Sequence, residues 1–357
     1  MSTVLKDAFK MSAVTGRDPL PHLWVGQSSP VLDCPYLVKD LIAPQSLVVI
    51  YGASNTGKTF LALDIAAHVS SGEPWRGRPV RKGLVVYVAG EGMSGMHNRI
   101  AAAVNRGHLS RGAPFLIVQR AVNLLDPYGD VDALLSLVDI AQSDSGTNAA
   151  LVVFDTLSRS IAGGDENSSE VMTRAIQSAD EVRRRTGAAV LLPHHCGKDA
   201  DRGARGHSSL RAAVDTEIMV EGQTGVRTAT VVKQRDLPKG QVFPFELEPV
   251  EIGSDPDGSP VTSCVVKHRA DGAVADQIRP PGKNQALALT LLRDWCRANP
   301  DRNQLSAIEF GDLLTTTGLP RQRKAELREY LIARGAIETV GNSDLKVHHD
   351  VAKSLNH

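Results

Sequence analysis

The run Gly52-Ala53-Ser54-Asn55-Thr56-Gly57-Lys58-Thr59 sets two glycines, a lysine and a threonine at the spacing Gly-x-x-x-x-Gly-Lys-Ser/Thr. Those residue types at that spacing suit a polyphosphate. Small residues let backbone N–H groups wrap phosphate oxygens at a helix N-terminus, Lys58 reaches the β and γ phosphates, and Thr59 offers a hydroxyl to Mg²⁺. The context agrees, because the strand-like Leu47-Val48-Val49-Ile50-Tyr51 precedes the run and the helical Phe60-Leu61-Ala62-Leu63-Asp64-Ile65-Ala66 follows it. The expected ligand is ATP with Mg²⁺, cradled by all eight residues from Gly52 to Thr59.

Further candidates stand at the ends of apolar runs, where a parallel sheet presents its ligand. Asp155 closes Leu151-Val152-Val153-Phe154. A carboxylate there suits the Mg²⁺ shell, although an Asp also suits the cap of a following helix. Glu91 follows Val88-Ala89-Gly90, where it could polarise an attacking water or stand as a solvated loop acid. His194 and His195 follow Val190-Leu191-Leu192-Pro193. Neighbouring strand residues point to opposite faces, so one of the two faces the ligand, and His195 is the choice as phosphate sensor. Their adjacency to Cys196 raises a metal cluster, but three consecutive residues do not readily chelate one ion. Lys233 and Arg235, two apart in Val231-Val232-Lys233-Gln234-Arg235-Asp236, fall on one face of a strand. That pair fits a phosphate held by a neighbouring protomer, or else the solvated charges of an edge strand.

The elements that must position these residues are legible as alternation. Near-continuous apolar runs at 84–89, 115–118, 151–154, 188–192 and 217–220 are separated by amphipathic stretches. This predicts an α/β fold with a buried, mostly parallel sheet covered on both faces. Residues 226–235 and 261–268 read as antiparallel strands added at one edge. Residues 1–30 form an N-terminal arm, 31–270 the phosphate-binding domain, 271–283 a Pro/Gly linker, and 284–357 a smaller domain.

Taken in order, these motifs resemble the RecA-like motor domain of hexameric replicative helicases, the DnaB-like and plasmid RepA-like group of phage and plasmid ATPases. The resemblance spans roughly residues 35–250 and includes Arg205-Gly206-His207-Ser208-Ser209-Leu210-Arg211, similar to that group's Arg-Gly-x-x-x-Leu-Arg element. It implies a RecA-like P-loop ATPase with catalytic Glu91, Lys58 and His195, completed by Lys233 and Arg235 from the next subunit. It also implies a homo-oligomer, a hexameric ring, acting on single-stranded DNA in replication. Lys198, Arg202 and Arg205 lie in the Gly-rich segment 196–205, which by that resemblance faces the central channel and grips phosphates without reading sequence. An ATP-switched DNA-binding protein of initiation, recombination or regulation, without unwinding, is the alternative.

Past the linker, helices over 285–298, 306–314 and 320–334 and a hairpin over 336–349 resemble a winged helix-turn-helix. Arg321, Arg323 and Lys324 on its third helix suit duplex DNA, whereas Glu326 and Glu329 suit a replication-protein partner. Bulk composition excludes a strongly basic binder, since 40 Lys and Arg balance 40 Asp and Glu. No apolar run approaches the ~18 residues of a membrane span, and the N-terminus lacks a signal-peptide core, so the expected setting is the cytoplasm with no membrane partner. Four cysteines without a Cys-x-x-Cys pair fit reduced thiols.

Overall fold

The computed structural model describes residues 23–28, 35–90, 93–195, 208–270, 283–299, 302, 304–315, 321–333, 336–340 and 344–347. The chain divides into two units, 1–35 and 36–357. In the first, the described part is a single 3₁₀ turn, Val25–Gln27, with Leu23, Trp24 and Val25 exposed.

The second unit is built on a nine-stranded sheet ordered β3-β2-β4-β5-β1-β6-β7-β8-β9. Its strands are β1 (Leu47–Gly52), β2 (Leu84–Ala89), β3 (Phe115–Val118), β4 (Ala149–Asp155), β5 (Ala189–His195), β6 (Thr216–Glu221), β7 (Arg227–Gln234), β8 (Val242–Ser254) and β9 (Pro260–His268). The first six in that order run parallel, and β6 to β9 pair antiparallel. Helices α1 (Lys58–Ser71), α2 (Met93–Asn105), α3 (Asp132–Ser145), α4 (Ser169–Thr186) and the short α5 (Ser208–Ala213) connect and cover it. The strand β1 and all of β2 are fully buried, as the unbroken apolar runs require.

Alternation along the strands sorts residues between two cores. Val48 and Ile50 of β1 pack with Leu61 and Ile65 of α1, while Leu47, Val49 and Tyr51 pack with the α3 and α4 side through Leu135, Val138 and Ala179. On β5 the same parity sends Ala189 and Leu191 toward α1 and Val190 and Leu192 the other way. Everything at the strand ends inherits this parity.

The C-terminal region has its own core. Leu292 of α6 (Lys283–Ala298), Phe310 and Leu314 of α7 (Ala307–Thr315), and Leu327 and Leu331 of α8 (Arg321–Ala333) close around Leu305, Ile337, Leu345 and Val347. The expected hairpin is present as β11 (Ile337–Val340) and β12 (Asp344–Val347). A third strand, β10 (Gln304–Ser306), joins β12; three residues are too few to show a period in the sequence.

Candidate nucleotide-binding site

The phosphate loop leaves β1 at Gly52 and enters α1 at Lys58 through backbone that only certain residues tolerate. Gly57, the residue before the helix, sits at φ 93°, and Asn55 at φ 65°. A side chain at Gly57 would be strained, and Asn is among the few non-glycine residues that accept this region. At Gly52 a Cβ would lie 2.2 Å from the Val220 carbonyl of β6, so the loop's exit has no room for any side chain.

Lys58 is buried, and its Nζ donates to the Gly52 and Ala53 carbonyls at 3.1 and 2.8 Å. The ammonium therefore lies within the loop curve. Asp155, at the end of β4, is also buried. Thr59 Oγ1 donates to its Oδ1 at 3.2 Å and the Tyr87 hydroxyl to its Oδ2 at 2.7 Å. Thr156 occupies the cap position of the 3₁₀ turn Leu157–Ile161, so the Asp155 carboxylate faces the loop instead of capping that turn. A buried carboxylate beside a hydroxyl at a helix N-terminus is a hard-oxygen donor set that fits Mg²⁺.

His195 follows the α1-facing parity of β5, and its Nδ1 lies 3.4 Å from Lys58 Nζ and 3.5 Å from Ser54 Oγ. His194 is fully buried toward the other core. The structure thus brings Ser54, Lys58, Thr59, Asp155 and His195 together. Two further residues belong to this group. Tyr87 shares the α1-facing parity with Val85 and Ala89, which was the available signal, and it fixes the Asp155 carboxylate. Arg227, at the start of β7, brings its Cδ 3.3 Å from where a Cβ on Gly57 would sit. Its guanidinium donates to the Gly225 and Gln223 carbonyls at 3.0 and 2.6 Å and is pulled below its ordinary pKa by burial. Nothing local to Arg227 in the sequence places it there.

Lys233 and Arg235 stand elsewhere. Thr216 is level with Val48 on one side and with Gln234 on the other, so the end of β7 is level with the start of β1. The phosphate loop departs from the far end of β1, roughly 16 Å away at the rise of a β-strand. Lys233 ends near α5, donating to the carbonyls of Arg211 and, at 2.7 Å, Val214. Burial, more than any charged neighbour, holds its ammonium below the ordinary lysine value. Arg235, one residue past the strand, pairs with Asp215 at 2.9 Å and leaves its side chain 54% exposed. Asp215 also receives the Leu47 N–H at 2.8 Å and Arg183 at 3.0 Å. β8 pairs with β7 only along residues 227–230, so the end of β7 that carries Lys233 is laddered on the β6 side.

Glu91 and the loop residues Lys198, Arg202 and Arg205 lie outside the described residues. Arg321 and Arg323 open α8 with Lys324, which is half-buried.

A mostly parallel sheet with this loop after β1, and with one strand, β5, between β1 and the Asp155 strand, defines a RecA-like P-loop ATPase fold with a small separate C-terminal region. A family model described as an AAA domain matches residues 18–201, more than half the chain. The protein belongs to that AAA domain family. Among solved structures it is similar to the RadB recombinase at 20% identity and TM-score 0.41, over 57% of this chain and 88% of that one. It is also similar to the KaiC-like protein PH0186 from Pyrococcus horikoshii OT3 at 17% identity and TM-score 0.42, over 70% and 100%. No curated protein matches the chain in sequence.

Proposed function

We propose that this ATPase works as a ring-forming DNA helicase or translocase whose nucleotide is shared between neighbouring subunits. One observation carries the reading: Lys233 and Arg235 lie at the end of the sheet opposite their own phosphate loop, with Arg235 half-exposed. Cations so placed cannot reach the nucleotide of their own chain. In a head-to-tail ring each subunit offers this end to the next, and a hexamer closes such an arrangement without leaving an open site.

In that ring Lys58 holds the β and γ phosphates. Thr59 and Asp155 would hold Mg²⁺, which would supply positive charge beside the phosphates. Tyr87 keeps the Asp155 carboxylate oriented. Glu91 accepts the proton of the attacking water, His195 senses the γ-phosphate from beside Lys58, and the neighbour's Arg235 meets the developing charge. Lys233 has a second task, because it grips the end of α5. The segment 196–207, with Lys198, Arg202 and Arg205, leads directly into α5, so a grip on single-stranded DNA there is tied to the strand that carries the finger.

Steady-state hydrolysis with and without single-stranded DNA, at two salt concentrations, tests the reading against Lys58→Ala as background. Salt-sensitive stimulation lost in the variant supports a DNA motor and leads to fork-unwinding assays. Lys58-dependent hydrolysis that ignores DNA favours an ATP-switched DNA-binding protein. The independent core around Leu292, Phe310, Leu331 and Leu345, with three helices and a three-stranded sheet, supports that second reading. On this reading the region would act as a winged helix, whose duplex or replication-protein partner would then be the functional target.

A further inference from the structure

A third charged cluster lies between α1 and the end of β9, which is level with Phe245 and Arg227. Asp64 and His68 stand one turn apart on α1, and His268 closes β9 beside them. Their ligand atoms, one from each residue, all lie within 4.8 Å of one another. Asp64 Oδ1 is 3.8 Å from His68 Nε2, and Asp64 Oδ2 is 3.0 Å from His268 Nε2.

The Asp64 side chain is only 2% exposed, which is costly for a carboxylate unless it is compensated. The indole of Trp75 donates to Oδ2 at 2.8 Å. Asp64 Oδ1 is buried without a hydrogen-bond partner among the described residues, while Oδ2 has His268 Nε2 at 3.0 Å. An unpaired buried carboxylate oxygen beside two imidazole nitrogens is what a cation would join.

The surroundings orient the ligands. His68 Nδ1 lies 3.2 Å from the Glu73 carbonyl, which can only accept. The proton therefore sits on Nδ1 and the Nε2 lone pair faces Asp64, the outer contact typical of a metal-bound histidine. Arg76 comes to 3.4 Å of His268 Nδ1, but its guanidinium is already held by the carbonyls of Pro244 and Arg269 at 2.9 and 2.8 Å. Because a guanidinium only donates, that contact puts the His268 proton on Nε2 beside Asp64 when no metal is bound, and a metal at Nε2 would displace that proton. Metal bonds of about 2.0–2.2 Å in a tetrahedral centre set ligand atoms about 3.3–3.5 Å apart. The separations of 3.8 and 3.0 Å run to different oxygens of Asp64, and one ligand atom from each residue lies within 4.8 Å of the others, so side-chain rotations of about 1 Å would bring the three into that range. The side chains of His68 and His268, 21% and 25% exposed, leave a path for an ion and for a water as fourth ligand.

We propose that Asp64, His68 and His268 form a binding site for a divalent transition metal of the zinc type, distinct from the Mg²⁺ of the nucleotide. Two imidazoles and one carboxylate with an open position suit Zn²⁺, Co²⁺ or Fe²⁺ better than Mg²⁺, which prefers oxygen ligands. The metal would clasp the last strand of the sheet to the helix that begins at the phosphate loop.

The test uses untagged full-length protein, stripped with chelator and titrated with Zn²⁺ against a chromophoric competitor. One Zn²⁺ per chain is expected, unchanged in Lys58→Ala, with a raised melting temperature. Loss of an outer-contact residue costs about 10- to 100-fold in metal affinity, so His268→Ala should cost at least about 100-fold. His268→Cys should retain binding and, loaded with Co²⁺, gain a thiolate charge-transfer band that no packing role produces. Should His268→Ala fail to fold, His68→Ala and His68→Cys give the same pair of readings. Zn²⁺ affinity equal in the wild-type and alanine proteins, or no charge-transfer band in either cysteine variant, overturns the site and leaves an Asp–His ion-pair cluster.

Discussion

The two ends of the central sheet handle charge in opposite ways. At the phosphate-loop end, Lys58 and Asp155 are buried among loop carbonyls, His195, Thr59 and Tyr87. At the other end, Asp215 gathers Arg183, Arg235 and the Leu47 N–H, yet the Arg235 side chain remains 54% exposed. The first end suits a small anionic ligand. At the second, Asp215 holds the guanidinium in place without burying it, which suits the proposed presentation to a neighbour. A pre-oriented, half-exposed arginine loses less conformational freedom when it meets a phosphate than a free one.

The largest test of that contrast is a mixing experiment. Lys58→Ala should lose essentially all hydrolysis because its own phosphate loop is broken. Arg235→Ala should lose about 10³-fold in turnover while still binding ATP, as removal of a trans-acting arginine does. Mixed together, the two inactive proteins should regain hydrolysis, because a Lys58→Ala subunit supplies Arg235 to the intact loop of its neighbour. A mixture as inactive as its components would sink the shared site.

Asp215→Asn comes next. It weakens three contacts at once and should cost about 2 kcal/mol in urea unfolding, with turnover reduced and ATP affinity retained. Equal losses of turnover and affinity would erase the division of labour between the ends. Tyr87→Phe removes one donor from a buried carboxylate oxygen, at about 1–2 kcal/mol, and its effect should appear in the Mg²⁺ concentration needed for half-maximal rate.

Glu217 offers the smallest effect. It is buried beneath the Arg235 end, and burial raises its carboxyl above the ordinary value of 4.5 despite Arg211 and Lys233 nearby. A raised folded-state pKa means that the folded chain holds this proton more tightly than the unfolded chain. The stability it gives is present at low pH and is lost as pH rises through the folded value. Glu217→Gln should therefore melt higher than the wild type at neutral pH, with the difference closing as pH falls toward 4.5. A constant difference across that range would show that Glu217 does not titrate with folding.

Much of the nucleotide end was legible because its logic is local. Gly57 and Lys58 are adjacent in sequence, and Asp155 and His195 were found by reading the last residue of an apolar run, where strand parity fixes direction. A period of two required that one of His194 and His195 face the loop, and the side of the sheet that each parity faces made it His195. Tyr87 was missed because an aromatic inside a strand reads as core, and only the neighbouring strand reveals that its hydroxyl meets Asp155. Asp64, His68 and His268 were missed for a stronger reason, since β9 reaches α1 only after the antiparallel extension has folded back.

By itself the sequence determined which residues carry charge at strand ends, where the phosphate loop lies, and that a parallel sheet must bury the runs between them, because these follow from side-chain chemistry and short periods. The tertiary structure decided which end of the sheet each charge occupies. That depends on strand order and register, which are set by contacts between segments far apart in the chain. It is why Lys233 and Arg235, which the sequence shows only as two cations two residues apart, stand roughly 16 Å from their own phosphate loop.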